Sequence, residues 1–148
     1  LLRRAQERGL HVLLPLDVVA AERNDGRGEP RTVPVGQVPP GWYIMDLGPQ
    51  TLESFRKELA GAKTVIWNGP LGVFELAPFK KGTADFARIL AGLKALTIVG
   101  GGSTAEAVEE LGLAGRMTHV STGGGATLEF LEGRDLPAVA ALRNSKGT

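Results

Sequence analysis

Apolar and polar positions along this chain switch between a helical and a strand period, and the switches mark out its elements. Residues 1–8 set Leu and Ala among Arg, Gln and Glu like the later turns of an amphipathic helix, which Gly9 stops. No cap and no initiator Met precede that helix, which predicts a piece of a larger protein. Residues 11–15 predict a short buried strand. Residues 22–41, rich in Gly, Pro and charge, predict a loop region, with an edge strand at the alternating Thr32-Val33-Pro34-Val35. Residues 43–47 predict a second apolar strand, closed by Gly48-Pro49. Thr51 then reads as the cap of a helix to about residue 60, with Leu52, Phe55, Arg56 and Leu59 at helical spacing. A strand at 64–67, a Gly/Pro-interrupted loop at 68–78 and a helix at 83–92 follow, the helix carrying Phe86, Ile89, Leu90 and Leu93 on one face.

The second half repeats one arrangement twice. A buried strand at 95–99 runs into Gly100-Gly101-Gly102 and a helix over 103–111. A strand at 117–121 then leads through Gly123-Gly124-Gly125 into a helix over 126–132. Strands and helices in alternation predict an α/β fold: three layers, with a mostly parallel, Rossmann-like sheet covered by helices on both faces, here truncated. The expected organisation is one domain over 1–142 with no internal linker, followed by a tail at 143–148.

Composition changes this picture in three ways. Lys and Arg number 17 and Asp and Glu 16, a net charge of +1, so no broad electrostatic footprint for nucleic acid or an anionic membrane is expected. The chain has 0 cysteines, which excludes disulfides, thiolate metal sites and thiol nucleophiles. With no apolar run near the roughly 20 residues that cross a bilayer and no signal-peptide pattern, a soluble protein of a reducing compartment is expected. Glycine is the outlier, at 21 of 148 residues against an average near ~7%.

Six of those glycines form the two triplets, each at the carboxyl end of a strand, where ligands of parallel α/β sheets bind. A glycine loop lets backbone N–H groups approach an anion, and the next helix adds its unpaired amides and positive dipole end. Two such loops point to a polyphosphate, whereas a single one would read as a tight turn. No G-x-x-x-x-G-K-[ST] occurs, which excludes a P-loop. Gly100-x-Gly102-x-x-Ala105 satisfies the dinucleotide fingerprint, but Val120-Ser121-Thr122 carries no acid for the ribose, which weakens an NAD-dependent oxidoreductase.

The nine-residue stretch Trp67-Asn68-Gly69-Pro70-Leu71-Gly72-Val73-Phe74-Glu75 resembles the phosphoglycerate kinases. So do Phe79-x-x-Gly82-Thr83, the triplet at 100–102 and His119-Val120-Ser121-Thr122-Gly123-Gly124-Gly125-Ala126-x-Leu128-Glu129-Phe130-Leu131. Leu14-Pro15-Leu16-Asp17 and Asp46-Leu47-Gly48-Pro49 match in the same order, and the similarity covers residues 1–142. The segment resembled is the later part of the C-terminal, nucleotide-binding domain.

The resemblance implies glycolytic phosphoryl transfer between 1,3-bisphosphoglycerate and ADP, giving 3-phosphoglycerate and ATP. ATP/ADP with Mg²⁺ are the implied cofactors, in a cytoplasmic enzyme that is monomeric when complete. The residue types suit that chemistry, because a carboxylate acceptor is already ionised near neutral pH and the transfer rests on positioning and charge stabilisation. Carried onto this sequence, Glu75 holds the ribose hydroxyls, while Asn68 and Pro70 line the nucleotide, Pro70 against the base. Gly100, Gly101, Gly102, Ser103 and Thr104 hold the nucleotide phosphates. Ser121, Thr122, Gly123, Gly124 and Gly125 face the phosphoryl group in transfer. As local structure alone, Glu75 is a solvated acid, Pro70 a turn residue and Asn68 an Asx turn. His119 and Trp67 read as packing residues.

Two positions depart from the family. Ser103 stands where the family has the Asp that serves the nucleotide's magnesium, so it is the one metal candidate, and Ser103-x-x-Glu106 reads instead as a capping box. Ile44 stands where the family has a glycine near the adenosine. The family's N-terminal domain, which holds the phosphoglycerate, and a lysine-bearing segment facing the nucleotide lie outside the sequence. Lys57, Lys80, Lys81 and Lys94 are expected to be solvated surface. The 148 residues alone are therefore expected not to turn over substrate. Ser103 and Ile44 together leave open a non-catalytic nucleotide-binding module with impaired metal binding.

Overall fold

A computed structural model describes residues 1–144. They divide into two compact units, one of Leu1–Ala62 with Leu71–Leu93 and one of Lys63–Pro70 with the chain from Lys94 onward.

The first unit contains helix α1 (Leu2–Glu7), strands β1 (Asp17–Ala21), β2 (Arg31–Pro34) and β3 (Tyr43–Leu47), and helices α2 (Pro49–Leu59) and α3 (Lys81–Ala91). The strands form an antiparallel sheet in the order β2-β1-β3, with Val18 opposite Val33 and Val19 opposite Asp46. These three strands are the antiparallel part of a fold expected to be mostly parallel. The buried strand expected at 11–15 is also not formed; His11, Val12 and Leu14 are exposed. Pro15 has no N–H to give a ladder. The central strand is β1, whose Val18, Ala20 and Ala21 are buried and which bonds to a neighbour on each side.

Helix α2 begins at Pro49, ahead of the expected cap at Thr51. Proline is well placed at the first helical position because its missing N–H has no partner to lose there. The cap comes from elsewhere in the chain: the buried Asp17 carboxylate accepts the amides of Gln50 (3.1 Å) and Thr51 (2.8 Å). The Thr51 hydroxyl is buried too and donates to Asp17 O at 2.7 Å. Phe55 of α2 and Phe86 of α3 meet edge to face with centroids 6.4 Å apart.

The second unit is built on a parallel sheet of β4 (Thr64–Asn68), β5 (Leu96–Gly100) and β6 (His119–Ser121), in that order. Its helices are α4 (Gly102–Glu110), α5 (Gly124–Leu131) and α6 (Pro137–Asn144). This is the parallel α/β arrangement that the glycine-triplet repeat predicts. Helix α4 packs on β5 and β6, burying Thr104, Ala105, Ala107 and Val108. Along β4 and β5, Val65, Trp67 and Val99 are buried. Ile66 and Ile98 point to the other face, where they and His119 line a cavity of ≈ 410 Å³ beside Phe130 and Leu131 of α5. Trp67 is the core residue expected, whereas His119 is exposed rather than packed, because it lies on this open face. Helix α6 was not anticipated; Arg143 and Asn144, assigned to a tail, form its last turn, and 145–148 lie outside the described residues.

Candidate functional site

In the second unit the carboxyl ends of all three strands converge. Strand β5 ends in Gly100, and Gly101, with φ +97°, turns the chain into α4. That positive φ strains any residue with a Cβ, which is why glycine stands there. The first bond of α4 runs from Ala105 N to Gly101 O, so the amides of Gly102, Ser103 and Thr104 precede the helical ladder and point out of its positive end. Strand β6 repeats the device: α5 opens with a bond from Thr127 N to Gly123 O, ahead of which lie the amides of Gly124, Gly125 and Ala126. The Ser121 hydroxyl accepts from Gly123 N at 3.1 Å and so braces the loop. Thr122 is exposed at the loop's tip.

The two glycine loops touch, with Asn68 between them. A Cβ on Gly124 would lie 3.0 Å from Gly101 Cα and 3.1 Å from Asn68 Oδ1, and one on Gly101 would lie 2.9 Å from the same oxygen. The next residue, Gly69, donates its amide to Thr104 Oγ1 at 2.8 Å and accepts the Trp67 indole N–H at 2.7 Å. The Thr104 side chain, 1% exposed, thus ties the β4 loop to the start of α4 beside Gly101. Asn68, Gly100, Gly101, Gly102, Ser103, Ser121, Gly123 and Gly124 are brought to one end of one sheet. Pro70 follows in the same unit, half-buried.

Ser103 is exposed in the first turn of α4. The expected capping box with Glu106 is not formed, because Gly101 holds the cap position and α4 has no side-chain cap. Among the described residues no cluster of three or more His, Cys, Asp or Glu could hold a metal ion. A lone neutral hydroxyl does not fit a resident Mg²⁺, which takes carboxylates together with phosphate oxygens; magnesium fits here only as the companion of a nucleotide's phosphates. Strand β6 ends at Ser121 and Thr122 follows it, so no acid stands there for the ribose of NAD.

Glu75 lies in the first unit, exposed on a loop that is itself tightly fixed. Val73 N donates to Met45 O at 2.8 Å, and Leu71 N and Gly72 N both donate to Thr83 Oγ1 at 3.1 and 3.2 Å. Phe74 and Phe79, on either side of Glu75, are buried, and the Lys80 ammonium lies 5.4 Å from the Phe74 ring centroid. Beneath the loop, Asp46 is 2% exposed and accepts from Gly82 N (2.6 Å) and Leu47 N (2.9 Å). Burial pushes its carboxyl above the ordinary aspartate pKa of 3.8, against the pull of those two amides. Sequence reasoning quoted Asp46 and Thr83 as motif matches but gave neither a role; a carboxylate inside an otherwise apolar strand was the available signal. Lys57, Lys81 and Lys94 are exposed as expected, Lys81 paired with Asp85. Ile44 is 55% exposed on β3.

The family model described as phosphoglycerate kinase matches residues 1–134. A phosphoglycerate kinase of Roseiflexus castenholzii is 50% identical over 145 residues, which cover 98% of this chain and 37% of that protein. One from Pelotomaculum thermopropionicum is 53% identical over 142 residues, 96% of this chain and 36% of that protein. Among solved structures, phosphoglycerate kinase from Coxiella burnetii matches with a TM-score of 0.86 at 40% identity, covering 94% of this chain and 36% of that one. The enzyme from Pyrococcus horikoshii matches at 0.81 and 32% identity, covering 95% and 35%. The chain thus spans little more than a third of the length of the relatives it matches.

Proposed function

The chain belongs to the phosphoglycerate kinase family, and from that premise we propose that it is the nucleotide-binding portion of a kinase that moves a phosphoryl group between 1,3-bisphosphoglycerate and ADP. A β-phosphate oxygen of ADP attacks the acyl phosphate, the bond to the carboxyl oxygen breaks, and 3-phosphoglycerate leaves as a carboxylate that needs no proton. ATP is the other product. Chemistry of this kind asks for fixed dipoles rather than a strong base. The observation that carries the reading is the meeting of the two glycine loops around Asn68, with the opening amides of α4 and α5 beside them.

Each group has its part. The amides of Gly101, Gly102, Ser103 and Thr104 hold the nucleotide phosphates, with the N-terminal dipole of α4 behind them. Asn68 and Pro70 line the nucleotide, Pro70 against the base, and Glu75 takes the ribose hydroxyls. Ser121, Thr122, Gly123, Gly124 and Gly125 face the phosphoryl group in transfer, where backbone amides offset charge spreading over its oxygens. Magnesium arrives with the nucleotide, and Ser103 offers it one neutral oxygen. Phosphoglycerate is held by parts of the full-length kinase outside this sequence, so the 148 residues alone are inactive. The full-length kinase is read as cytoplasmic and monomeric; among the described residues no helix is long and apolar enough to cross a membrane.

A coupled assay of a full-length kinase carrying this segment, with 1,3-bisphosphoglycerate and MgADP, tests the proposal. Turnover by the full-length chain and none by the 148 residues is expected. The exposed neutral Ser103 favours one competing reading, a module that binds nucleotide without catalysis. ADP binding by the full-length chain with no turnover would establish that reading instead.

A further inference from the structure

We propose that Asp46 and Thr83 are positioning residues: together they form a buried clamp that sets where Glu75 stands and so give the kinase its selectivity for an intact ribose. This rests on the reading of Glu75 as the ribose ligand. The loop carrying Glu75 contains no regular structure between β4 and the 3₁₀ turn Ala77–Phe79, so its course is decided by what binds its backbone. Thr83 binds two of the loop's amides, and Asp46 packs against the loop while holding the helix that carries Thr83. The Thr83 oxygen accepts the consecutive amides of Leu71 and Gly72, and Asp46 accepts the amide of Gly82 at the start of α3. Both are nearly inaccessible, at 0% and 2% exposure.

Space is as tight as the bonding. A Cβ on Gly72 would fall 2.2 Å from Asp46 Oδ1, and one on Gly82 would fall 2.1 Å from it. The carboxylate is therefore sandwiched between the loop and the first turn of α3. Met45, the neighbour of Asp46 on β3, accepts the Val73 amide at 2.8 Å, which ties the loop to the same strand. Glu75 is two residues past Val73 and three past Gly72. An exposed carboxylate on an unsupported loop would sample many positions; on this one it is presented from a fixed backbone.

A clamp that served only folding would alter stability and leave substrate preference alone, so the readout is a ratio. In the full-length kinase, kcat/KM is compared for ADP and 2′-deoxy-ADP in the wild type and in E75A, T83V, T83S and D46N. Hydroxyl donation to a charged acceptor predicts a wild-type preference for ADP of about tenfold or more, which E75A abolishes. T83V, which keeps the side chain's shape and removes its oxygen, is expected to bring the ratio towards unity. Its KM for 1,3-bisphosphoglycerate should stay within about twofold, since the change reaches substrate only through Glu75. T83S restores the oxygen and should restore the preference. D46N, of the same volume, is expected to lower the ratio as T83V does and serves if T83V does not fold. Unchanged ratios in both T83V and D46N, alongside a clear loss in E75A, would overturn the clamp and leave the ribose role of Glu75 intact. A wild type and E75A with equal ratios would overturn that role, and the clamp's part in selectivity with it.

Discussion

Ser103 stands in the first turn of α4 with its side chain exposed, a place where a carboxylate would act in two ways. An Asp there would complement the helix dipole by about 0.3–1 kcal/mol and offer Mg²⁺ a charged ligand. S103D in the full-length kinase is therefore expected to lower the magnesium concentration giving half-maximal rate; no change would show that the nucleotide alone sets metal affinity. Asp46 presents the reverse electrostatic case. Its folded pKa is raised above 3.8, mainly by burial, so the folded state binds the proton more tightly than the unfolded chain does. The stability it contributes is full below the unfolded value and is lost as pH rises through the raised one. Asp25 runs the other way, because Arg23 holds it down to about 2; its contribution is present above 3.8 and lost as pH falls towards that value. D46N carries no titrating group, so urea midpoints of the wild type should fall relative to D46N as pH rises from about 4. A difference constant with pH would refute this. Between the glycine loops, G124A is expected to destabilise by about 1–3 kcal/mol and weaken ADP binding, since its methyl group would meet Gly101 Cα at 3.0 Å. Calorimetric titration with ADP measures that loss.

At the scale of elements, what the sequence revealed followed how local each cause was. The strand–glycine–helix repeats around β5 and β6 were legible because strand, breaker and helix start lie within a few residues of each other. Both triplets were found by the same logic, whereas Asn68 came only from the family resemblance, its local pattern reading as an Asx turn. Starts of α2 and α3 were placed late because their caps are not local: Asp17 reaches α2 from β1, and Asp46 reaches α3 from β3. No pattern near residue 49 or 81 reports a carboxylate more than thirty positions upstream. Strand β1 was missed for a related reason. Asp17-Val18-Val19-Ala20-Ala21 shows no alternation, being mostly buried, and the apolar run at 11–15 competed for the assignment. Its antiparallel pairing with β2 and β3 was likewise unreadable, since partners are chosen by tertiary packing. The remote cap of α2 is testable on its own. D17A leaves the Gln50 and Thr51 amides without their acceptor, and a loss of about 2–4 kcal/mol is expected from cap and desolvation together. Hydrogen exchange should show α2 amides losing protection ahead of those in β5. A change below about 0.5 kcal/mol would mean that the cap is dispensable.

For the molecule as a whole, each unit exposes apolar surface that a complete α/β protein covers. Strands of a parallel sheet are normally buried on both faces, yet Ile66 of β4 is open and Phe130 and Leu131 of α5 are exposed beside it. In the first unit Leu10, Val12, Leu14 and Leu16 are exposed in a row with no strand or helix of their own. β4 and β6 are also outer strands of their sheet, with backbone edges that invite pairing. Soluble monomers rarely leave contiguous apolar patches of this kind, and the chain spans about 37% of the length of its relatives. The 148 residues on their own are therefore expected to bind the dye ANS and to associate at micromolar concentrations, whereas the full-length kinase does neither. Sedimentation velocity over a concentration series separates the two. Replacing Phe130 and Leu131 by Ser should reduce both dye binding and association if the face beside α5 is responsible. Replacing Leu14 and Leu16 would do so if the first unit's exposed run dominates. An isolated chain that stays monomeric and leaves ANS dark would show that these surfaces find cover within the 148 residues themselves, and the expectation that they need the rest of the kinase would fall.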